Sequence, residues 1–138
     1  MAARKNWKVP LKFLEALLDL YNILNEAVLL KEKQIRFSNI KGLKSFNNKL
    51  WSESKEKQYH KKLLKLMKVL DKSSPLANSN VKKAGMDDRE TVIAAYKEEI
   101  DKCRDNIQKA KNENYFPWSF LRYENHATIG YMKLLQLD

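Results

Sequence analysis

The apolar residues in the first quarter of the chain follow helical periodicity, and this pattern constrains the fold more than any other feature. Between Pro10 and Gln34, the polar positions are spaced by 3, 4, 3 and 4 residues, which gives one narrow polar stripe on a helix. The stripe consists of Lys12, Glu15, Asp19, Asn22 and Glu26. Pro10 suits the first helical position, where its missing N–H has no helical partner. We predict a helix over 10–34 that is either central in its own bundle or half covered by a partner.

Two further helical segments are predicted, and the stretch between them has the composition of a long loop. Residues 43–70 form one helix or two, and we expect a break near 52–54 because 52–58 contains no apolar residue. The next helix starts at a capping box formed by Asp87 and Glu90. Its apolar positions are spaced by 3, 4, 3, 4 and 3 residues, which is typical of one narrow packed face. This seam consists of Ile93, Tyr96, Ile100, Cys103, Ile107 and Ala110.

A last helix is predicted from Pro117 to the C-terminus. Gly130 lies inside it and makes the helix about 1 kcal/mol less stable than alanine would, which counts against the prediction. Glycine and proline occur only three times each, and turn-rich strand folds need more of them. The fold class predicted is therefore all-α, a four- to five-helix up-and-down bundle over residues 1–138. Residues 1–9 form an N-terminal arm and residues 72–86 a long, mobile loop. The first and last helices should be neighbours in the core.

Positive charge is concentrated in the first half of the chain. The formal net charge is +10, and residues 31–72 alone hold thirteen Lys or Arg against four Asp or Glu. Residues 86–113 are slightly acidic by comparison, with six basic and eight acidic residues. Because a segregated charge produces a directional field, it favours a polyanionic partner.

A row of lysines is the best candidate for a binding site. Its members are spaced by 4, 4, 3 and 4 residues, so they lie along one side of a helix; they are Lys57, Lys61, Lys65, Lys68 and Lys72, and are called the lysine stripe below. Like charges at this spacing repel one another by a few tenths of a kcal/mol per pair. That cost favours a polyanion whose phosphates would neutralise the stripe, with affinity that falls with salt. The alternative is a solvated face that only keeps the protein soluble.

Residues beside the stripe and in the long loop extend this predicted site. The full set of predicted nucleic-acid contacts is Lys55, Lys57, Lys61, Lys62, Lys65, Lys68, Lys72, Lys82 and Lys83. Lysine outnumbers arginine here, which favours contact with the nucleic-acid backbone over the reading of base edges. Among the aromatic residues, Trp7 and Trp51 are predicted partner-binding residues, and Trp118 is expected to pack the turn before the last helix.

Two short stretches resemble a known family. The last helix, with Arg122-Tyr123, Ala127, Tyr131 and Lys133, is similar to the C-terminal helix of the small helical subunit of type III CRISPR effector complexes, with a spacing that differs by one residue. Gln34-Ile35-Arg36 is similar to another part of that subunit. This resemblance implies a basic helical subunit that lines a nucleoprotein complex.

Other function classes find little support in the sequence. The chain has two histidines and one cysteine, which leaves no zinc-ligand spacing and no internal disulfide, and Cys103 lies on an apolar seam. We expect no catalysis, no metal and no cofactor. No run of about 18 apolar residues occurs, and charged residues interrupt the N-terminal apolar segment, so we expect an intracellular protein, cytoplasmic or nuclear, with no membrane span.

The sequence therefore predicts a non-catalytic basic helical subunit that binds RNA or DNA within a larger nucleoprotein assembly, with other protein subunits as further partners. The alternative is a protein–protein adaptor that uses the apolar first helix and meets an acidic surface with its lysines. An anionic membrane surface is a third possibility, which needs exposed apolar residues beside the basic face. We expect those residues to lie in the core.

Overall fold

The computed structural model describes residues 9–37, 51–73, 86–87 and 90–135 of the 138-residue chain. Within these ranges, the chain forms four α-helices, one 3-10 turn and a pair of two-residue strands. The elements are β1 (Val9–Pro10), α1 (Leu11–Phe37), α2 (Glu53–Lys72), β2 (Met86–Asp87), α3 (Glu90–Asn112), a 3-10 helix (Trp118–Phe120) and α4 (Leu121–Leu135). The fold is all-α, as predicted, because the strands add only one short antiparallel pairing.

Helix α1 is the centre of the bundle and packs against α2, α3 and α4. Nine of its apolar side chains are at most 3% exposed: Phe13, Leu14, Ala16, Leu17, Leu20, Tyr21, Leu24, Ala27 and Val28. A helix that is apolar over most of its circumference can be buried only if it is covered from several sides. Of the two environments predicted for this helix, the structure has the one in which the chain's own helices cover it.

Helix α2 runs antiparallel to α1. Its beginning lies beside the end of α1, where the Gln34 side chain donates to the Trp51 carbonyl at 3.3 Å. Further along, the Tyr59 hydroxyl donates to Glu26 at 2.6 Å. The predicted break near 52–54 is confirmed, since the helix starts after Ser52, whose side chain accepts from the Lys55 backbone N–H at 3.1 Å. Residues 38–50, which precede this cap, lie outside the described residues.

Helix α3 lies beside α1 and runs in the same direction. The pairing of Val9 with Asp87 brings the starts of the two helices together. Near their ends, the Lys109 ammonium lies 4.0 Å from the Glu32 carboxylate. Asp87 is part of β2 and the structure describes α3 from Glu90, while residues 88–89 lie outside the described residues. The capping box formed by Asp87 and Glu90 therefore stays a prediction.

Helix α4 packs closely against α1 and α2 at Gly130. A Cβ atom at this position would lie 3.1 Å from Leu17 Cδ1, which is tighter than ordinary contact, and 3.4 Å from Leu70 Cδ2. The glycine that weakens the helix locally thus permits a close approach of three helices. The predicted contact between the first and last helices is present at this point. Most of the predicted loop 72–86 and most of the arm 1–9 lie outside the described residues.

The predicted seam of α3 is buried. Ile100, Ile107 and Ala110 are almost completely inaccessible, and Ile93 and Cys103 are nearly so, while Tyr96 is partly buried. The opposite faces of α3 carry exposed charges of both signs. A single narrow apolar face suffices because α3 meets the core on one side only.

Candidate nucleic-acid interface

The sequence of α2 separates its apolar and basic residues onto opposite sides. Tyr59, Leu63 and Leu70 are buried, with Leu66 and Met67 packed against the core beside them. The helix ends at Lys72, where the Ser73 N–H donates to the Val69 carbonyl at 3.1 Å. Only one face of α2 packs against α1 and α4. The lysines that alternate with the buried residues along the sequence therefore lie on the opposite face, in solvent.

All five residues of the lysine stripe are exposed. Among the residues that the structure describes, no carboxylate oxygen lies within 4.0 Å of any of their ammonium groups. Helix α3, which carries five of the seventeen acidic residues, packs against α1 and makes its ion pairs away from the stripe. Within the described part of the chain, the stripe is therefore a row of like charges that form no ion pairs.

Two of the three acidic residues of α2 face α4, whereas Glu53 is exposed in the first turn of the helix. Glu56 accepts from Trp51 Nε1 at 3.2 Å and from Ser119 Oγ at 3.1 Å. Asp71 Oδ1 lies 2.5 Å from His126 Nε2. These contacts hold the two carboxylates along the α2–α4 seam, so the outer face of α2 keeps a surplus of positive charge.

The two flanking lysines differ from the stripe. Lys55 is partly buried near the helix start, and Lys62 is exposed with its ammonium 5.9 Å from the centroid of the Tyr59 ring. Both lie to one side of the stripe. The remaining predicted contacts, Lys82 and Lys83, and the predicted partner-binding residue Trp7 lie outside the described residues.

The second predicted partner-binding residue, Trp51, is packed into the fold. Its ring stacks on Tyr59 with a centroid distance of 5.7 Å, and its indole N–H donates to Glu56. The Lys31 ammonium lies 5.4 Å from the ring. The half-buried indole thus joins the end of α1 to the start of α2, and a role in binding a partner stays a prediction.

Two residues that sequence reasoning assigned no binding role lie exposed near the basic surface. Trp118 is 52% exposed, although it was expected to pack the turn before the last helix. Arg122 follows it by one helical turn, and its guanidinium donates to the Tyr123 hydroxyl at 2.6 Å. The four-residue spacing of Trp118 and Arg122 can be read from the sequence and predicts that they share a helix face. Only the packing of α4 reveals that this face is exposed.

The exposed apolar residues also correct one expectation. Ile129, Met132 and Leu135 on α4 and Leu64 on α2 are each exposed by more than a third of their surface. The apolar residues of these helices were expected in the core. They are exposed because α4 and α2 each meet the rest of the bundle on one side only, while their sequences carry apolar residues on more than that side.

A polar cleft of about 200 Å³ lies between α1, α3 and α4. Three of its lining residues have polar partners: Arg104 donates to the Tyr21 hydroxyl at 2.9 Å, and Glu124 accepts from Lys111, beside the cleft, at 2.5 Å. Burial raises the pKa of Tyr21, so this hydroxyl stays neutral in the folded chain. Because these groups already have partners, we interpret them as contacts that hold the three helices together.

Candidate groups for catalysis or metal binding are sparse within the described ranges. These ranges contain no group of three or more His, Cys, Asp or Glu side chains arranged to hold a metal ion. Cys103 is buried and its thiol donates to Asn22 Oδ1 at 3.3 Å. Burial, followed by the charge of Glu99, raises the pKa of the Cys103 thiol and reduces its thiolate fraction.

Neither the described helices nor comparisons with known proteins assign this chain to a known class of protein. None of the described helices has both the length and the apolar character needed to cross a bilayer. Family models, curated proteins and solved structures were compared with the chain, and none of them matches it.

Proposed function

We propose that this chain binds the backbone of nucleic acids through the lysine stripe of α2, as a non-catalytic subunit of a larger nucleoprotein assembly. One observation carries the proposal: the five stripe lysines are exposed, and among the described residues none has a carboxylate within 4.0 Å. A face that served only solubility would gain from interspersed acidic residues, which reduce repulsion between neighbours.

The dimensions of the stripe suit a nucleic-acid backbone. From Lys57 to Lys72, a rise of about 1.5 Å per residue gives a row about 22 Å long. Duplex DNA carries about a dozen phosphate charges over such a length of its axis. Each phosphate that a lysine neutralises releases counterions, and this release drives binding without regard to sequence.

Lysine as the dominant cation favours contact with phosphates rather than with bases. An ammonium group is a compact point charge, whereas the forked guanidinium of arginine is the group that reads guanine in the major groove. The stripe contains no arginine. We therefore expect similar affinities for nucleic acids of different sequence.

The test compares the wild type with Lys61→Glu/Lys65→Glu/Lys68→Glu. A matched control, Lys12→Glu/Lys102→Glu/Lys109→Glu, changes the net charge equally at exposed lysines of α1 and α3. Binding of fluorescently labelled RNA and DNA is measured by anisotropy at two salt concentrations. We expect the stripe variant to lose affinity by about tenfold or more and the control to lose much less. No binding by the wild type at low salt, or equal losses in both variants, would refute the proposal.

A second candidate, a protein–protein adaptor, is favoured by the exposed apolar residues of α4. The sequence pointed to α1 for this role, but the middle of α1 is covered by the other helices. A partner would instead meet Ile129, which is 56% exposed, and Met132. Analytical ultracentrifugation tests whether the isolated chain self-associates and whether Ile129→Lys/Met132→Lys abolishes the association. A wild-type chain that stays monomeric at high concentration would count against the adaptor.

A further inference from the structure

Trp118 is a large aromatic side chain that the fold leaves accessible. It is the first residue of the 3-10 helix before α4, and 52% of its surface is exposed. The buried Phe116 ring contacts it edge to face, with a centroid distance of 5.3 Å and an interplanar angle of 69°. The indole is thus supported on one side by a fixed neighbour while much of it remains open to solvent.

The turn that carries Trp118 is joined to the start of the lysine stripe. Ser119 Oγ donates to Glu56 Oε2 at 3.1 Å. Trp118 directly precedes Ser119, and Lys57 directly follows Glu56. The Cα atoms of Trp118 and Lys57 therefore each lie about 3.8 Å from the Cα atom of a residue in this contact. One turn further along α2, the His60 ring contacts Phe120 at 4.7 Å between centroids. These contacts place the turn that carries Trp118 near the Lys57 end of the stripe.

An arginine adds a cation to the same corner. Arg122 is exposed and lies one helical turn after Trp118. Its guanidinium is held over the Tyr123 ring, 4.7 Å from the centroid, and donates to that residue's hydroxyl. The ring and hydroxyl fix the position of the guanidinium, and the remaining N–H groups can donate to a phosphate.

We propose that the preferred ligand of this surface is a single-stranded nucleic acid, with an unpaired base stacked on the indole of Trp118 while lysines of the stripe contact the adjoining phosphates. This inference rests on the proposed function and names the class of nucleic acid. A duplex offers the same phosphates, but its bases are stacked inside and cannot stack on an indole at the protein surface. Aromatic stacking tolerates any base sequence, as lysine contacts do.

The experiment measures anisotropy with a labelled single strand and with the duplex of the same sequence. Trp118→Ala is compared with Trp118→Phe, which keeps an aromatic face, and with Leu135→Ala, which removes an exposed apolar side chain at the other end of α4. We expect Trp118→Ala to weaken single-strand binding by about tenfold and duplex binding by less than about twofold. Trp118→Phe should retain most of the affinity, and Leu135→Ala should match the wild type.

A second measurement reports on the indole itself. The single strand should quench tryptophan fluorescence in the wild type, and Trp118→Phe should remove most of the quenching although Trp7 and Trp51 remain. If Trp118→Ala binds single strands like the wild type while the triple lysine variant loses affinity, the stacking inference is wrong and the proposed function stands. If Trp118→Ala loses equal affinity for the single strand and for the duplex, the stacking inference is also overturned. If the wild type binds neither, the proposed function itself fails.

Discussion

Lys111 Nζ lies 2.5 Å from Glu124 Oε1, and this ion pair joins the end of α3 to the first turn of α4. The Glu124 side chain is 11% exposed, and the Thr128 hydroxyl donates to its other oxygen at 3.0 Å. Removal of one partner of a buried pair leaves a charge without compensation. We therefore expect Lys111→Met to lower the free energy of unfolding by about 3 kcal/mol.

The control for this prediction is Lys109→Met, which removes an exposed lysine of the same helix. Its nearest described carboxylate is 4.0 Å away, so its loss should cost less than about 1 kcal/mol. Urea denaturation followed by circular dichroism measures both variants. Equal stabilities of the two variants would show that the buried pair contributes no more than a surface one.

Gly130 is expected to resist a larger side chain. Gly130→Val places methyl groups beside Leu17 and Leu70, where a Cβ atom alone would lie only 3.1 Å from Leu17 Cδ1. Overpacking of this kind costs about 1–3 kcal/mol. Ile129→Val, one residue earlier and largely exposed, should change the thermal midpoint little. A Gly130→Val variant as stable as the wild type would mean that α4 shifts away from α1 without cost.

The stability of the fold should fall in alkaline solution because of its tyrosines. Burial, together with donation to Asp101, raises the pKa of Tyr131 to about 12, whereas an unfolded tyrosine ionises near 10.0. The contribution of Tyr131 is thus complete below pH 10 and is lost as the pH rises towards 12, because the unfolded chain releases the proton first. Urea denaturation at several pH values between 9 and 12 measures the slope. Tyr131→Phe should flatten it in part, since other buried tyrosines contribute, and an unchanged slope would contradict the assignment.

The salt dependence of binding should report the stripe lysine by lysine. Replacement of one lysine that neutralises a phosphate, as in Lys65→Ala, should reduce the slope of log K against log salt concentration by about 0.7 on a single strand. Lys102→Ala, on the surface of α3, should leave the slope unchanged. Titrations at four or more salt concentrations give these slopes. A reduction of the same size for both variants would mean that binding follows overall charge rather than the stripe.

Much of the local structure could be predicted because it depends on spacing within one segment. The helical periodicity around Leu17, the seam that includes Ile100 and the break before Glu53 all follow from residues within a few turns of one another. The strand pairing before α3 was not predicted. The Asp87 backbone pairs with Val9, which is 78 residues away in the sequence. A local rule contains no information about such a pairing.

The sequence by itself determined that five lysines share one side of a helix, because side-chain positions within a helix follow from the 3.6-residue turn alone. Only the tertiary structure decided that these lysines form no ion pair with any described carboxylate, since Asp71 meets His126 of α4 and Glu56 meets Ser119 across the same seam. Packing likewise decided that Trp118 is exposed. These outcomes depend on contacts between residues more than fifty positions apart and on which face of α4 covers α1, and periodicity along one segment does not encode either.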